Sequence, residues 1–265
     1  MTNTGKPEQT GGGTRSVERA LSLLTAFSEE QPELRINELV AASGLGQSTV
    51  SRLVGALTNL QFLVQDERTG HYRVGPQVIR LAGIALNQSE TYQHARQLAQ
   101  NLAHSLGMGV NIAERHVKKL FYLANYEGAQ FPRSSTLVGR SGPLHATALG
   151  KALISEMPEN DINSLLGVSY SAYTPRTVTE LSALITELEQ VRGRGYAVEN
   201  EEMAFGRACV AAPIRDRSGV IVAALSISGP LSIMNLSERE LEISRAAIEH
   251  ADQVSTALGY HGAPF

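Results

Sequence analysis

Cys209, His145 and Glu199 are the residue types of a thiol nucleophile, its base and an orienting acid. No local signature supports that use of them. The stretch around Cys209, GRACVAAP, reads as the interior of a strand, where a thiol is ordinarily inert rather than activated. A metal centre fares worse, because His94, His104 and His116 are scattered without close ligand spacing and Cys209 is the single cysteine. No catalytic residue, metal or cofactor is assigned. An enzyme that processes small molecules with Cys209 as nucleophile is kept as an alternative.

Binding chemistry is better represented. Ser226 and Ser228 lie two apart on an expected strand, so both hydroxyls face one side, and the neighbouring hairpin strand carries Cys209. Arg140 to Ala148, RSGPLHATA, leads through small residues into a helix, and a helix start with approachable amides attracts anions. Glu199 is expected to close a loop between helix and strand. The plain reading of the same residues is two surface serines, a buried structural thiol and a solvated acid.

A second kind of recognition is written in GLGQSTVSRLVGALTN, from Gly44 to Asn59. Val50, Leu53, Val54, Leu57 and Leu60 fall on one helical stripe, the core face. At about 100° per residue, Ser48, Ser51, Arg52, Gly55 and Asn59 fall opposite, with Gln47 leading. A solvated face is normally filled with Glu and Lys, which are good helix formers. This one has neither, and its Gln, Ser and Arg side chains are types that reach base edges and phosphates in a major groove. An ordinary surface helix of low charge is the competing reading.

The elements around it favour the first. Ile36 to Ser43 reads as a short helix with Asn37 as N-cap, Glu38 in its first turn and Gly44 at its stop. Two short helices joined by a Gly-containing turn make a helix-turn-helix. Leu63 to Gln65 and His71 to Val74, across Asp66 to Gly70, read as the hairpin of a wing. The DNA-facing set is then Gln47, Ser48, Thr49, Ser51 and Arg52 on the helix, with Arg68 and Arg73 on the wing. Ser16 to Phe27, capped by Ser16, supplies a first helix whose inner stripe is Val17, Ala20, Leu21, Leu24 and Phe27.

The 265 residues have room for two domains. The expected divisions are a disordered Gly- and Thr-rich tail over 1–14, a winged helix over 15–75, a linker helix over 76–90 and a second domain over 91–262. That second domain mixes hairpins with helices, with strands near 110–114, 120–126, 208–214 and 220–228 and helices near 145–156, 179–194 and 237–258, which argues an α+β fold. Ser237 is the expected cap of the last helix. One cysteine suits a reducing cytoplasm, the opening stretch has no apolar signal-peptide core, and no run of about 18 apolar residues spans a membrane. Net charge is −3, and Thr14 to Leu86 holds seven Arg against seven acids. A neutral DNA-binding domain gains little from counterion release, so binding DNA implies two or four copies acting together.

Four ordered blocks resemble the IclR family of bacterial transcriptional regulators: SVERALSLLTAF, INELVAASGLGQSTVSRLVGALTNLQFLVQDERTGHYRVG, GPLHATALGKALIS and RGYAVENEEMAFGRACVAAPIRDRSGVIVAALSISGP. The resemblance implies a winged helix-turn-helix joined by a linker helix to a GAF-like effector-binding domain. It also implies homodimers or homotetramers on palindromic double-stranded operators, with repression as the favoured sign of control. Carried over by position, the effector pocket falls on Leu144, Thr147, Ala148, Glu199, Cys209, Ser226 and Ser228, and the effector is a small organic acid or aromatic compound. Two positions depart from the family pattern. Gly46-Gln47 stands where Pro or Ser then Lys or Arg is usual, which removes a phosphate contact, and Glu199 stands where Asp is common and reaches further. A second domain that only oligomerises is the remaining alternative.

Overall fold

The computed structural model describes residues 11–129 and 136–262. The chain divides into two compact units between Ala85 and Leu86, inside a helix.

The first unit holds α1 (Gly11–Leu24), β1 (Glu33–Leu34), α2 (Ile36–Ser43), α3 (Gln47–Asn59), β2 (Leu63–Gln65), β3 (Tyr72–Val74) and most of α4 (Pro76–Gln88). Leu23, Leu39, Val50, Leu53, Val54, Leu57 and Leu63 close its core. Each such side chain contributes roughly 1.5–3 kcal/mol on burial, enough together to fix how α3 is rotated. Gly44 ends α2 at φ 67°, its N–H donating to the Val40 carbonyl at 3.0 Å. Only glycine takes that left-handed turn without strain, which makes the tight entry into α3 possible. β3 pairs antiparallel with β2 and, on its other edge, with β1, a two-residue strand too short to leave a periodic signal.

Several local expectations change. The helix expected from Ser16 begins at Gly11, so 11–14 are not tail and Ser16 is no cap; residues 1–10 lie outside the described ones. Once a turn exists each further residue adds a hydrogen bond, which offsets glycine's cost of about 1 kcal/mol. Of the expected stripe, Ala20, Leu24 and Phe27 pack against the core while Val17 and Leu21 stand exposed, and Leu23, outside that stripe, is the buried residue of α1, so the helix is rotated by about one residue. Arg35, not Asn37, caps α2, because Glu38 reaches back to accept the Arg35 N–H at 2.6 Å. Leu60 lies past the last turn of α3 and is 64% exposed.

The second unit holds α5 (Glu90–Leu106), β4 (Gly109–His116), β5 (Lys119–Tyr126), β6 (Ser141–Pro143), α6 (Ala148–Ile154), α7 (Glu159–Leu166) and α8 (Leu181–Arg194). β7 (Ala197–Asn200), β8 (Arg207–Arg215), β9 (Ile221–Pro230), α9 (Leu231–Met234) and α10 (Leu236–Ala257) complete it. The strands form one antiparallel sheet in the order β6-β5-β4-β9-β8-β7. Side chains alternate along each strand, so the sheet has two buried faces. Val110, Ile112, Val210, Leu225 and Ile227 pack with α5 and α10. Ala113, Ala211 and Ala224 pack on the other face with Leu149 and Leu153 of α6 and Leu184 and Leu188 of α8. Glu199, expected in a loop, is a buried member of β7, since pairing with β8 draws the chain into the sheet before the turn. The last helix is capped by Asn235 in a left-handed conformation, and Ser237 lies within it.

Candidate functional site

Gln47, Ser48, Ser51, Arg52, Gly55 and Asn59 are all exposed on α3, with Thr49 half-buried beside them. The core fixes this orientation from behind, so the Glu- and Lys-free face looks outward. Gly46 is the N-cap and offers no side-chain oxygen, which leaves the start of α3 open. The wing turn is built on Asp66, whose Oδ1 accepts the N–H groups of Arg68 and Thr69 at 2.8 and 3.2 Å. Those two backbone donors hold its carboxyl below the usual carboxylate range. Arg68 sits in that turn and Arg73 in the middle of β3, both exposed.

In the second unit, a cavity of about 280 Å³ opens on the α6 face of the sheet. Six of the seven expected effector residues line it: Thr147, Ala148, Glu199, Cys209, Ser226 and Ser228. Leu144 does not. It is fully buried in the apolar core, with its backbone so close to Gly150 that a Cβ there would lie 2.4 Å from the Leu144 carbonyl oxygen. The helix expected from His145 begins at Ala148 because Thr147 caps it, its hydroxyl oxygen accepting the Gly150 N–H at 3.0 Å.

The sheet register explains the gathering. Cys209 pairs with Ser228 on one side and Glu199 on the other, and Ser226 pairs with Asn111. Asn111, Tyr122, Met203 and Arg207 also line the cavity and were not expected. A lone Asn in an apolar strand carries no periodic signal, and only the β4–β9 pairing brings it beside the serines.

Electrostatics here follow burial. Burial first, then the neighbouring Glu199, pushes the Cys209 thiol up to about 12, so it is neutral at ordinary pH. His145 does not line the cavity; its Nε2 lies 3.0 Å from the Ser171 carbonyl oxygen and its ring stacks on Tyr170. Glu199 accepts the N–H groups of Glu202 and Met203 on one carboxylate oxygen, at 2.7 and 3.1 Å. Burial raises its pKa against that pull. Its work is to tie down the turn that carries Met203 into the cavity wall. Among the described residues, no group of His, Cys, Asp and Glu is arranged to hold a metal ion, and no helix is long and apolar enough to cross a membrane.

Residues 83–256 match the family model described as the bacterial transcriptional regulator IclR C-terminal domain, and residues 16–67 match the IclR helix-turn-helix domain. The chain belongs to the IclR family. It is 32% identical over 248 residues to the HTH-type transcriptional regulator XynR of Escherichia coli K12, covering 93% of this chain and 98% of XynR. It is 29% identical over 253 residues to the HTH-type transcriptional repressor AllR of the same organism, covering 95% and 93%. Among solved structures, IclR of Thermotoga maritima superposes with a TM-score of 0.77 at 28% identity, covering 93% of this chain and all 100% of that one. An IclR homologue of Microbacterium hydrocarbonoxydans, complexed with 4-hydroxybenzoate, shares the fold at a TM-score of 0.80, 22% identity and coverage of 92% and 98%. The expected α+β architecture, a winged helix-turn-helix followed by an IclR effector domain, is the one found.

Behind the cavity of this IclR-family chain lies a buried ion cluster. Lys151 of α6, 1% exposed, places Nζ 2.6 and 2.7 Å from the two carboxylate oxygens of Glu202 and 2.5 Å from Glu187 of α8. Thr177 Oγ1 donates to the Glu202 carbonyl at 2.6 Å, and Thr174 Oγ1 to that of Glu201 at 2.6 Å. Burial pushes the Glu202 carboxyl up from 4.5 to about 7, against the pull of Lys151. Between those values the folded chain holds a proton that the unfolded chain has lost, so this group's contribution to stability falls as pH rises through the window. Glu202→Gln removes that titration. Its urea-denaturation stability should decline less between about pH 5 and 7.5 than that of the parent; equal slopes would place the proton elsewhere.

Proposed function

We propose that this IclR-family protein is a cytoplasmic repressor whose hold on a palindromic operator is set by a small organic acid or aromatic effector. The observation that carries the reading is the outward face of α3, polar and free of Glu and Lys, backed by buried Val50, Leu53, Val54 and Leu57. Gly55 strengthens it. A mid-helix glycine costs about 1 kcal/mol relative to alanine, yet a Cβ at Gly55 would meet nothing within 4 Å. Packing within the chain does not account for that residue, whereas close approach to a double helix does. Gln47, Ser48, Thr49, Ser51 and Arg52 face base edges, and Arg68 and Arg73 face phosphates. Exposed Val17 and Leu21 on α1, and Leu81 and Ile84 on α4, are apolar faces suited to pairing copies, which a neutral reading head requires. Repression as the sign of control is supported by the likeness to AllR.

The cavity's volume of about 280 Å³ suits a small ligand. Arg207, the cation among its described lining residues, and the hydroxyls of Ser226 and Ser228 suit a carboxylate. The effector acts by binding one arrangement of the assembly better than another, and only that difference moves the DNA equilibrium. A neutral, half-buried Cys209 with His145 engaged elsewhere argues for binding without turnover.

Footprinting on the duplex upstream of adjacent genes tests the reading. Protection of a two-fold symmetric site at low salt is expected, and no protection anywhere would refute it. Changing Ser226 and Ser228 together to Ala should weaken effector response about tenfold or more while sparing ligand-free operator binding. Loss of both activities would mark a folding defect instead.

A further inference from the structure

Both serine hydroxyls on the cavity wall already accept a hydrogen bond. Asn111 Nδ2, from the neighbouring strand β4, donates to Ser226 Oγ at 3.2 Å and to Ser228 Oγ at 3.2 Å. Asn111 Oδ1 in turn accepts from Asn125 Nδ2 of β5 at 2.8 Å. The donation therefore runs one way across three strands, from Asn125 through Asn111 to the serine pair. An amide nitrogen has two protons, and both are spent here. Asn111 is 4% exposed, Ser226 0% and Ser228 8%, so water does not compete freely for these bonds.

A hydroxyl that accepts from Asn111 has one proton left, and it points away from the amide. For Ser226 that direction holds Cys209, a weak acceptor that itself lines the cavity, as Ser228 does. We propose that Asn111 is a specificity-determining positioning residue: by donating to both hydroxyls it turns their protons away from itself, toward the side that lines the cavity. The wall then favours ligands whose polar end accepts, a carboxylate or carbonyl oxygen, over ends that must donate, such as a primary amide or an amine, for which each hydroxyl has one lone pair left instead of two. This rests on the reading of the cavity as the effector site.

The experiment uses the full chain and three probes of one shape, titrated calorimetrically: benzoate, its methyl ester and benzamide. The parent protein should prefer the acid and the ester to the amide. The ester and the amide are both neutral, so their ratio reports hydrogen-bond polarity without net charge. In Asn111→Asp the side chain has no proton to give, the hydroxyls turn toward it, and the ester-to-amide ratio should fall about tenfold or more. Asn111→Ala frees the hydroxyls to rotate and should lower the same ratio by a smaller factor. If Asn111→Asp fails to fold, judged by circular dichroism and ligand-free operator binding, the ratio measured in Asn111→Ala decides between the outcomes. Ratios unchanged in folded variants, with all probes weakened alike, would make Asn111 merely structural and overturn the inference while leaving the effector site standing. A parent protein that prefers the amide also overturns it, and one that binds none of the probes overturns the reading of the cavity together with it.

Discussion

Lys151→Met should lower the unfolding free energy of the second unit by about 3–5 kcal/mol at pH 8, the usual cost of leaving buried charge without its partner. Lys151 is almost fully buried, with Glu202 and Glu187 both on its ammonium. Methionine fills much of the same volume, so the loss measures charge and not a cavity. The two carboxylates left behind have different exits. Glu187, at 35% side-chain exposure, can turn to water. Glu202, whose carboxyl is already pushed up to about 7, escapes by protonation. The defect should therefore shrink toward pH 5.5, because the group that suffers most is neutral there. Urea denaturation at the two pH values checks both statements, and a loss under about 1 kcal/mol at pH 8 would contradict them. Effector affinity should fall as well, since Glu202 anchors the turn that carries Met203 into the cavity wall.

Arg52→Ala should weaken operator binding by about 1–3 kcal/mol, roughly five- to 150-fold, and do so most strongly at one base position of each half-site. Arg52 stands exposed in the first half of α3, where a recognition helix meets base edges. The same change should leave thermal stability within about 0.5 kcal/mol, because an exposed side chain away from any core or cap contributes little to folding. Competition between operator variants in a mobility-shift titration separates two roles. A base reader loses discrimination at its own position, whereas a phosphate contact weakens all sequences alike and reduces the salt slope by about one. Unchanged affinity for every duplex would remove Arg52 from the interface.

The reading head could be read from the chain itself, since its determinants are local. A period near 3.6 over Val50 to Leu57 settles which side of α3 is core, Gly44 marks the turn before it, and Asp66 to Gly70 marks the wing. Where local rules compete they misled: Ser16, Asn37 and Ser237 are all good capping types, yet the caps or starts fall at Gly11, Arg35 and Asn235. Leu60 and Val17 obey the stripe and still face solvent, because periodicity knows the rotation of a helix only to within one residue.

The cavity divides along the same line. Ser226 and Ser228 announce a shared face by their spacing, and the resemblance to the IclR family carries Thr147, Ala148, Glu199 and Cys209 to the same wall. By itself the chain thus determined the two-part plan, the outward polar face of α3 and the shared side of the serine pair, all set by neighbours within a turn or a strand. The folded molecule alone decided that Asn111 meets the serines 115 and 117 positions away, that Leu144 belongs to the core, and that Lys151 is buried against Glu187 and Glu202. Those pairings depend on strand order and on which helix covers which face of the sheet, and both are set by the summed burial of many side chains rather than by any short stretch.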